Sequence, residues 1–187
     1  MRRNLMMVIL AALMNVSAMA VDIAGVDVKE TLVVANKKMI LNGAGIRKKF
    51  FFKLYVGSLY LPEKTMDAEA IVDGNENMTI ELNIISKLIT SAKLKEALEE
   101  GFATVEDKRM KLIKEKLKNF TGIFENGEVK NGDVFTFNYI DGNIETYKNE
   151  KHLLTTEGYE FKKALFGIWL GDRAIDKDLK AEMLGKY

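Results

Sequence analysis

A chain of 187 residues, 48% hydrophobic and 29% charged, holds enough apolar material for one packed core and too little for two full domains. Its 28 basic and 27 acidic residues nearly cancel, which argues against a partner recognised through bulk charge, nucleic acid included. With no cysteine and a single histidine, His152, it offers neither a disulfide framework nor the thiolate and imidazole sets that hold metals, so no metal and no cofactor is predicted.

The first twenty residues stand apart. Arg2 and Arg3 make a basic start, Leu5 to Met14 is an apolar run, and Ala18-Met19-Ala20 matches the small-x-small pattern of a secretory cleavage site. This predicts a signal peptide over residues 1–20, cleavage after Ala20, and one secreted, periplasmic domain over residues 21–187. The competing reading is a retained anchor. Asn15 and Ser17 interrupt the run, however, and it falls short of the roughly 20 apolar residues that span a bilayer, so no stable span is expected after cleavage. Loss of Arg2 and Arg3 leaves 26 basic against 27 acidic residues, and half of the ten methionines leave with the leader. That weakens the case for a thioether metal site.

Strand patterning begins with Val26, Val28, Leu32 and Val34, and a turn at Asn36-Lys37-Lys38 before Met39-Ile40-Leu41 predicts a hairpin. Gly43-Ala44-Gly45 reads as the next turn, where glycine gives freedom to reverse. Phe50 to Leu61 then reads as a central strand closed by Pro62. Phe50, Phe52, Leu54, Val56 and Tyr60 share one face, while Phe51, Lys53, Tyr55, Leu59 and Leu61 share the other. Both faces are largely apolar, which predicts cover on both sides. In the strand from Met78 to Ile85, alternation points Met78, Ile80, Leu82 and Ile84 inward and Thr79, Glu81 and Asn83 toward water.

Two helices follow. Ser91 is the predicted N-cap of the first, whose apolar stripe is Leu94, Ala97, Leu98, Phe102 and Val105. Met110, Ile113, Leu117 and Phe120 mark the second, closed by Gly122, and its lysines alternate with Glu106, Asp107 and Glu115 as on a solvated face. Val134 to Ile140, a turn at Asp141-Gly142 and Ile144 to Tyr147 form a meander. The chain ends with a helix carrying Phe161, Leu165, Ile168 and Trp169, stopped by Gly171, and a short helix capped by Asp176 and carrying Leu179 and Met183. This order is α+β, with an antiparallel sheet covered on one face by a helical layer.

Few residues offer chemistry. His152 has no nucleophile beside it, Gly43-Ala44-Gly45 lacks the spacing and following helix of a phosphate loop, and the carboxylates form no separated acid–base pair. What remains is Arg47 with a tyrosine beside an aromatic stretch. A guanidinium fork, a phenol and an apolar cavity suit an amphipathic anion. The alternative is that Arg47, Lys49 and Lys53 are strand residues whose stems pack while their charges reach water.

The stretch Leu41-Asn-Gly-Ala-Gly-Ile-Arg-Lys-Lys-Phe-Phe-Phe-Lys-Leu-Tyr-Val-Gly-Ser-Leu-Tyr-Leu61 resembles the signature of the bacterial chalcone isomerase-like proteins. Ala164-Leu-Phe-Gly-Ile-Trp-Leu-Gly-Asp172, followed by Asp178-Leu-Lys180, resembles that family's second signature. The resemblance implies an open-faced β-sandwich of chalcone isomerase type, with a ligand cleft between sheet and helices. Plant relatives of the family include isomerases that cyclise a chalcone and fatty-acid-binding proteins that use the same cleft. By this resemblance Arg47 matches the guanidinium that holds phenolate or carboxylate, and Tyr55 matches the tyrosine of the binders where the enzymes carry threonine. Leu94, Ala97 and Gly101 stand where the enzymes place a tyrosine, a lysine and an asparagine, and Ile168-Trp169 where they have a small polar residue and its apolar neighbour.

The expected ligand-binding residues are therefore Arg47, Tyr55 and Trp169, with no catalytic residue. One spacing conflicts with a shared site: eight residues of unbroken strand separate Arg47 from Tyr55 by roughly 26 Å, so either the backbone bends near Lys48-Lys49 or the two act apart. The leading expectation is a non-enzymatic binder of a fatty acid or similar amphipathic anion, its oligomeric state open. The alternatives are an isomerase or lyase of chalcone-like phenolic ketones, and a structural envelope protein whose cleft is filled by Phe50, Phe52 and Trp169.

Overall fold

Turn chemistry decides where this chain reverses. A computed structural model describes residues 20–125 and 127–186, so the predicted leader, Ala20 excepted, lies outside the described residues. β1 (Ala20–Ile23) and β2 (Val26–Lys29) form a separate hairpin through Ala24 and Gly25, both at positive φ, as a tight two-residue turn requires. β3 (Thr31–Val34) opens the main sheet and turns through Ala35 and Asn36, again at positive φ, into β4 (Lys37–Lys49). β5 (Phe52–Leu61), β6 (Met78–Ile84), β7 (Val134–Ile140), β8 (Asn143–Lys148) and β9 (Lys151–Glu157) complete a seven-stranded antiparallel meander in chain order. The predicted Asp141-Gly142 turn joins β7 to β8. His152 lies on β9, exposed, its Nε2 2.8 Å from Glu145 Oε2.

α1 (Ala68–Asp73) links β5 to β6, α2 (Ser91–Phe102) and α3 (Asp107–Gly122) link β6 to β7, and α4 (Tyr159–Leu170) and α5 (Lys177–Met183) follow β9. Met78, Ile80, Leu82 and Ile84 of β6, with Phe135, Phe137 and Tyr139 of β7, pack against the stripes of α2, α3 and α4. Each such side chain contributes about 1.5–3 kcal/mol on leaving water. The rings of Phe102, Phe120 and Phe161 meet at the centre, with centroids 5.3–6.2 Å apart. A smaller cluster of Val28, Met39, Ala44, Val56 and Tyr60 lies on the opposite face of the sheet, where β2 covers it. Among the described residues no helix is long and apolar enough to cross a membrane.

Several expectations change. Gly43 and Gly45 lie inside β4, and their missing side chains make room for α5 instead of forming a turn. A Cβ on Gly43 would overlap the Glu182 carbonyl and sit 2.7 Å from the Met183 carbonyl oxygen, while one on Gly45 would overlap the Glu182 side chain. The reversal falls at Phe50-Phe51, so the predicted single strand is half of the β4–β5 hairpin. Phe50 and Phe52 project into solvent instead of packing in the sheet. Thr79, expected to face water, is buried because its hydroxyl donates to Asn138 Oδ1 at 2.8 Å on a partly covered outer face. Thr90, one residue before the predicted Ser91, caps α2. The short elements β1, α1 and β9 carry too little periodicity to stand out in sequence.

Candidate functional site

Because the chain reverses at Phe50-Phe51, Arg47 and Tyr55 are direct partners across β4 and β5, and the separation expected for an unbroken strand disappears. Residues so opposed lie about 5 Å apart at Cα. Trp169 reaches the same place from α4, its indole N–H donating to the Tyr55 hydroxyl at 3.0 Å. The fold thus brings all three predicted residues together, on the helix-covered face of the sheet.

They border a cleft of about 290 Å³ whose apolar walls include Leu82, Leu94, Ala97, Ile168 and Ile175. Lys49, Phe50, Phe52, Leu88 and Lys93 surround its mouth. Of the helical positions singled out by the resemblance, Leu94 and Ala97 line the cleft and Gly101 does not. A Cβ on Gly101 would sit 2.8 Å from Ile168, so this glycine allows α2 and α4 to approach closely. A wider depression of about 870 Å³ lies between α1, α4 and the α2–α3 connection, but its walls carry Glu69, Asp73, Glu106, Arg109, Asp172 and Arg173 and offer an apolar body little.

Sequence reasoning assigned Asp176 only a helix cap. It does cap α5, its Oδ1 accepting from the amides of Asp178 and Leu179 at 3.0 and 3.1 Å. Its other oxygen, Oδ2, accepts from Arg47 Nη1 at 3.0 Å. The pair is 14% and 12% exposed, so water screens it weakly. Arg47 Nη1 also donates to the Lys48 carbonyl, while Nε and Nη2 donate to no group among the described residues. The guanidinium is therefore balanced by one carboxylate yet keeps unused donors.

Burial pushes the Tyr55 phenol up to about 12, partly offset by the Trp169 hydrogen bond and the Arg47 charge, with Asp176 raising it further. At neutral pH it is an intact phenol that accepts from Trp169 and whose own O–H finds no acceptor among the described residues. The folded pKa lies above the ordinary phenol value of 10.0, so the stability linked to this proton is complete below pH 10 and is lost as pH rises through 12. Tyrosinate absorbance in wild type, minus that in Tyr55→Phe, is expected to show one phenol ionising near pH 12; ionisation at pH 10 would mean an open cleft.

A model described as chalcone isomerase-like matches residues 20–185. The chain belongs to the chalcone isomerase-like family. Among solved structures it is similar to a fatty-acid binding protein of Arabidopsis thaliana, with a TM-score of 0.65 over 83% of this chain and 96% of that one, at 15% identity. At that identity the likeness establishes architecture alone, and the expected open-faced α+β sandwich, antiparallel sheet under a helical layer, is the one observed. Comparison with curated proteins finds no match. Within this chalcone isomerase-like fold, Asp176 is the site residue that sequence reasoning missed. An acidic N-cap beside the second family signature was visible, but its partner lies 129 residues away.

Proposed function

We propose that this chalcone isomerase-like protein is a non-enzymatic carrier of a fatty acid or similar amphipathic anion. The observation that carries the reading is a set of unused donors, Arg47 Nε and Nη2 and the Tyr55 O–H, at the polar end of an apolar cleft. A carboxylate can accept from both groups at once. The similar plant protein, described as fatty-acid binding, supports the choice. Size refines it: a cavity of about 150 Å³ holds one benzene, so one of about 290 Å³ takes roughly a dozen carbons, a medium-length chain. Phe50 and Phe52 stand at the mouth and leave the cleft open, which favours a carrier over a filled structural shell. Tyr55, held as an intact phenol with its pKa pushed up to about 12, serves as a hydrogen-bond donor to the ligand and not as a proton-transfer group near neutrality. The basic start and apolar run of residues 1–20 support secretion to the periplasm as part of the same proposal.

Trp169 is the chain's only tryptophan and forms part of the cleft wall, so its emission reports on occupancy. Titration with dodecanoate is expected to give a saturable change. Arg47→Ala should weaken binding by about 10–100-fold, the worth of a charged hydrogen bond. Asp176→Asn keeps the capping oxygen and removes the competing charge, so it should tighten binding. A folded wild-type chain with no saturable response, or an Arg47→Ala variant that binds as well, would overturn the proposal.

A further inference from the structure

The ten phenylalanines of the chain divide sharply. Seven are buried, and the other three are consecutive, at the tip of the β4–β5 hairpin. Phe50 is 87% exposed, Phe51 fully exposed and Phe52 55% exposed. Phe50 moreover adopts φ +56° at the first position of a two-residue hairpin loop, a place that favours glycine. A strained backbone holding unpacked rings in water has no return inside the folded protein, so its use lies outside it.

Lys48, Lys49 and Lys53 flank the rings and are all exposed, and none is within 4 Å of a carboxylate among the described residues. Across the cleft mouth, Leu88 is exposed beside Lys87, with Lys93 nearby. Of the local acids, Asp176 is paired with Arg47, and Glu96 and Glu100 are exposed further along α2, on the helical side of the cleft and away from the hairpin tip. Aromatic rings projecting beyond a collar of lysines match the boundary layer of a bilayer. There the rings enter the acyl edge, and the ammonium groups meet anionic headgroups. A fluid surface accepts three adjacent rings without the shaped pocket that a protein partner would have to supply.

We propose that Phe50-Phe51-Phe52 and the flanking lysines dock the protein on a bilayer bearing anionic headgroups, with the cleft mouth held at the membrane surface. The docking rests on atoms outside the cleft interior: it stands even if dodecanoate fails to bind, and dodecanoate binding does not establish it.

The full mature chain is tested by flotation with vesicles of phosphatidylcholine mixed with phosphatidylglycerol, against phosphatidylcholine alone. Association with the mixed vesicles is expected. Lys48→Gln or Lys49→Gln should weaken it by about fivefold each. Phe50→Gly combined with Phe51→Ser should weaken it at least about tenfold. The glycine also relieves the positive φ, and an unchanged thermal unfolding transition of that variant confirms an intact fold.

Because the chain has no cysteine, Phe51→Cys takes a single environment-sensitive fluorophore, expected to shift to the blue on vesicles. The same fluorophore on Val33→Cys, exposed and about 35 Å back along the hairpin, should stay unchanged. Three results would overturn the proposal: no association at low salt, association undiminished by removal of the rings, or a label at Val33→Cys that senses lipid as strongly as one at Phe51→Cys.

Discussion

Lys162→Met is expected to lower stability by about 4 kcal/mol. Lys162 is fully buried on α4, and its ammonium donates to the carbonyls of Ile71, Val72 and Gly74 at 2.7, 2.8 and 2.7 Å. These carbonyls close the last turn of α1, a helix too short to satisfy its own C-terminus. A cation from another helix thus caps it, with the Tyr139 ring 5.4 Å away as a second contact. Methionine fills much of the space and supplies no donor, so three acceptors stay in a dry interior.

Thermal unfolding should fall by roughly 8–16 °C. A variant as stable as wild type would show that the desolvation of the ammonium cancels its three hydrogen bonds. The pH dependence gives a second readout. Burial lowers the Lys162 pKa to about 8, although Asp73 pulls it up. Between about 8 and the ordinary lysine value of 10.5 the unfolded chain binds this proton more tightly than the folded one. The contribution of Lys162 to stability therefore rises with pH across that window, and the gap to Lys162→Met should widen.

Lys162 also shows what could be read from the chain alone. Its helix was legible, because Phe161, Leu165, Ile168 and Trp169 recur at helical spacing and the stripe survives into the core. A lysine inside that stripe carries no signal that it is buried until α1 is known to end against it. The same holds at the cleft. Arg47 and Tyr55 were identifiable by residue type and by family resemblance, but their adjacency was hidden. The chain reverses at Phe50-Phe51, which has none of the glycine, asparagine or aspartate found at the turns Ala24-Gly25, Ala35-Asn36 (one residue before the expected Asn36-Lys37-Lys38) and Asp141-Gly142. Glycines that did suggest a turn, Gly43 and Gly45, were instead answering a helix that arrives at the end of the chain. Local rules read local structure well here. They misread the stretch where distant segments set the requirement, and that stretch borders the cleft.

Gly43→Ala carries this last point to an experiment, with an expected loss of about 3 kcal/mol, the upper part of the usual overpacking range. α5 is seated on β4 by two bonds: Asn42 Nδ2 donates to the Met183 carbonyl at 2.9 Å, and the Ile46 amide donates to Glu182 Oε2 at 3.0 Å. A methyl on Gly43 meets the backbone of Glu182, of Met183 at 2.7 Å and of Gly185 at 2.9 Å, and none of these can rotate away. On Gly45 it meets the Glu182 carboxyl end, which can swing out, and Glu182 Cβ at 2.5 Å, which cannot, so Gly45→Ala should also destabilise and be only partly rescued by Glu182→Ala, which keeps that Cβ. Gly167→Ala, with nothing within 4 Å, controls for the methyl itself and should be neutral or stabilising by up to about 1 kcal/mol. Chemical denaturation of the four variants orders them, and a Gly43→Ala chain as stable as wild type would mean that α5 does not rest at this depth. The consequence for the site follows from the cap. Lifting α5 moves Asp176, which then no longer fixes the Arg47 fork, and draws back the Ile175 wall. Asp176→Asn removes the charge that holds Arg47 and keeps the oxygen that caps α5, whereas Gly43→Ala keeps the charge and loses the seat of α5. The first should therefore tighten dodecanoate binding and the second weaken it.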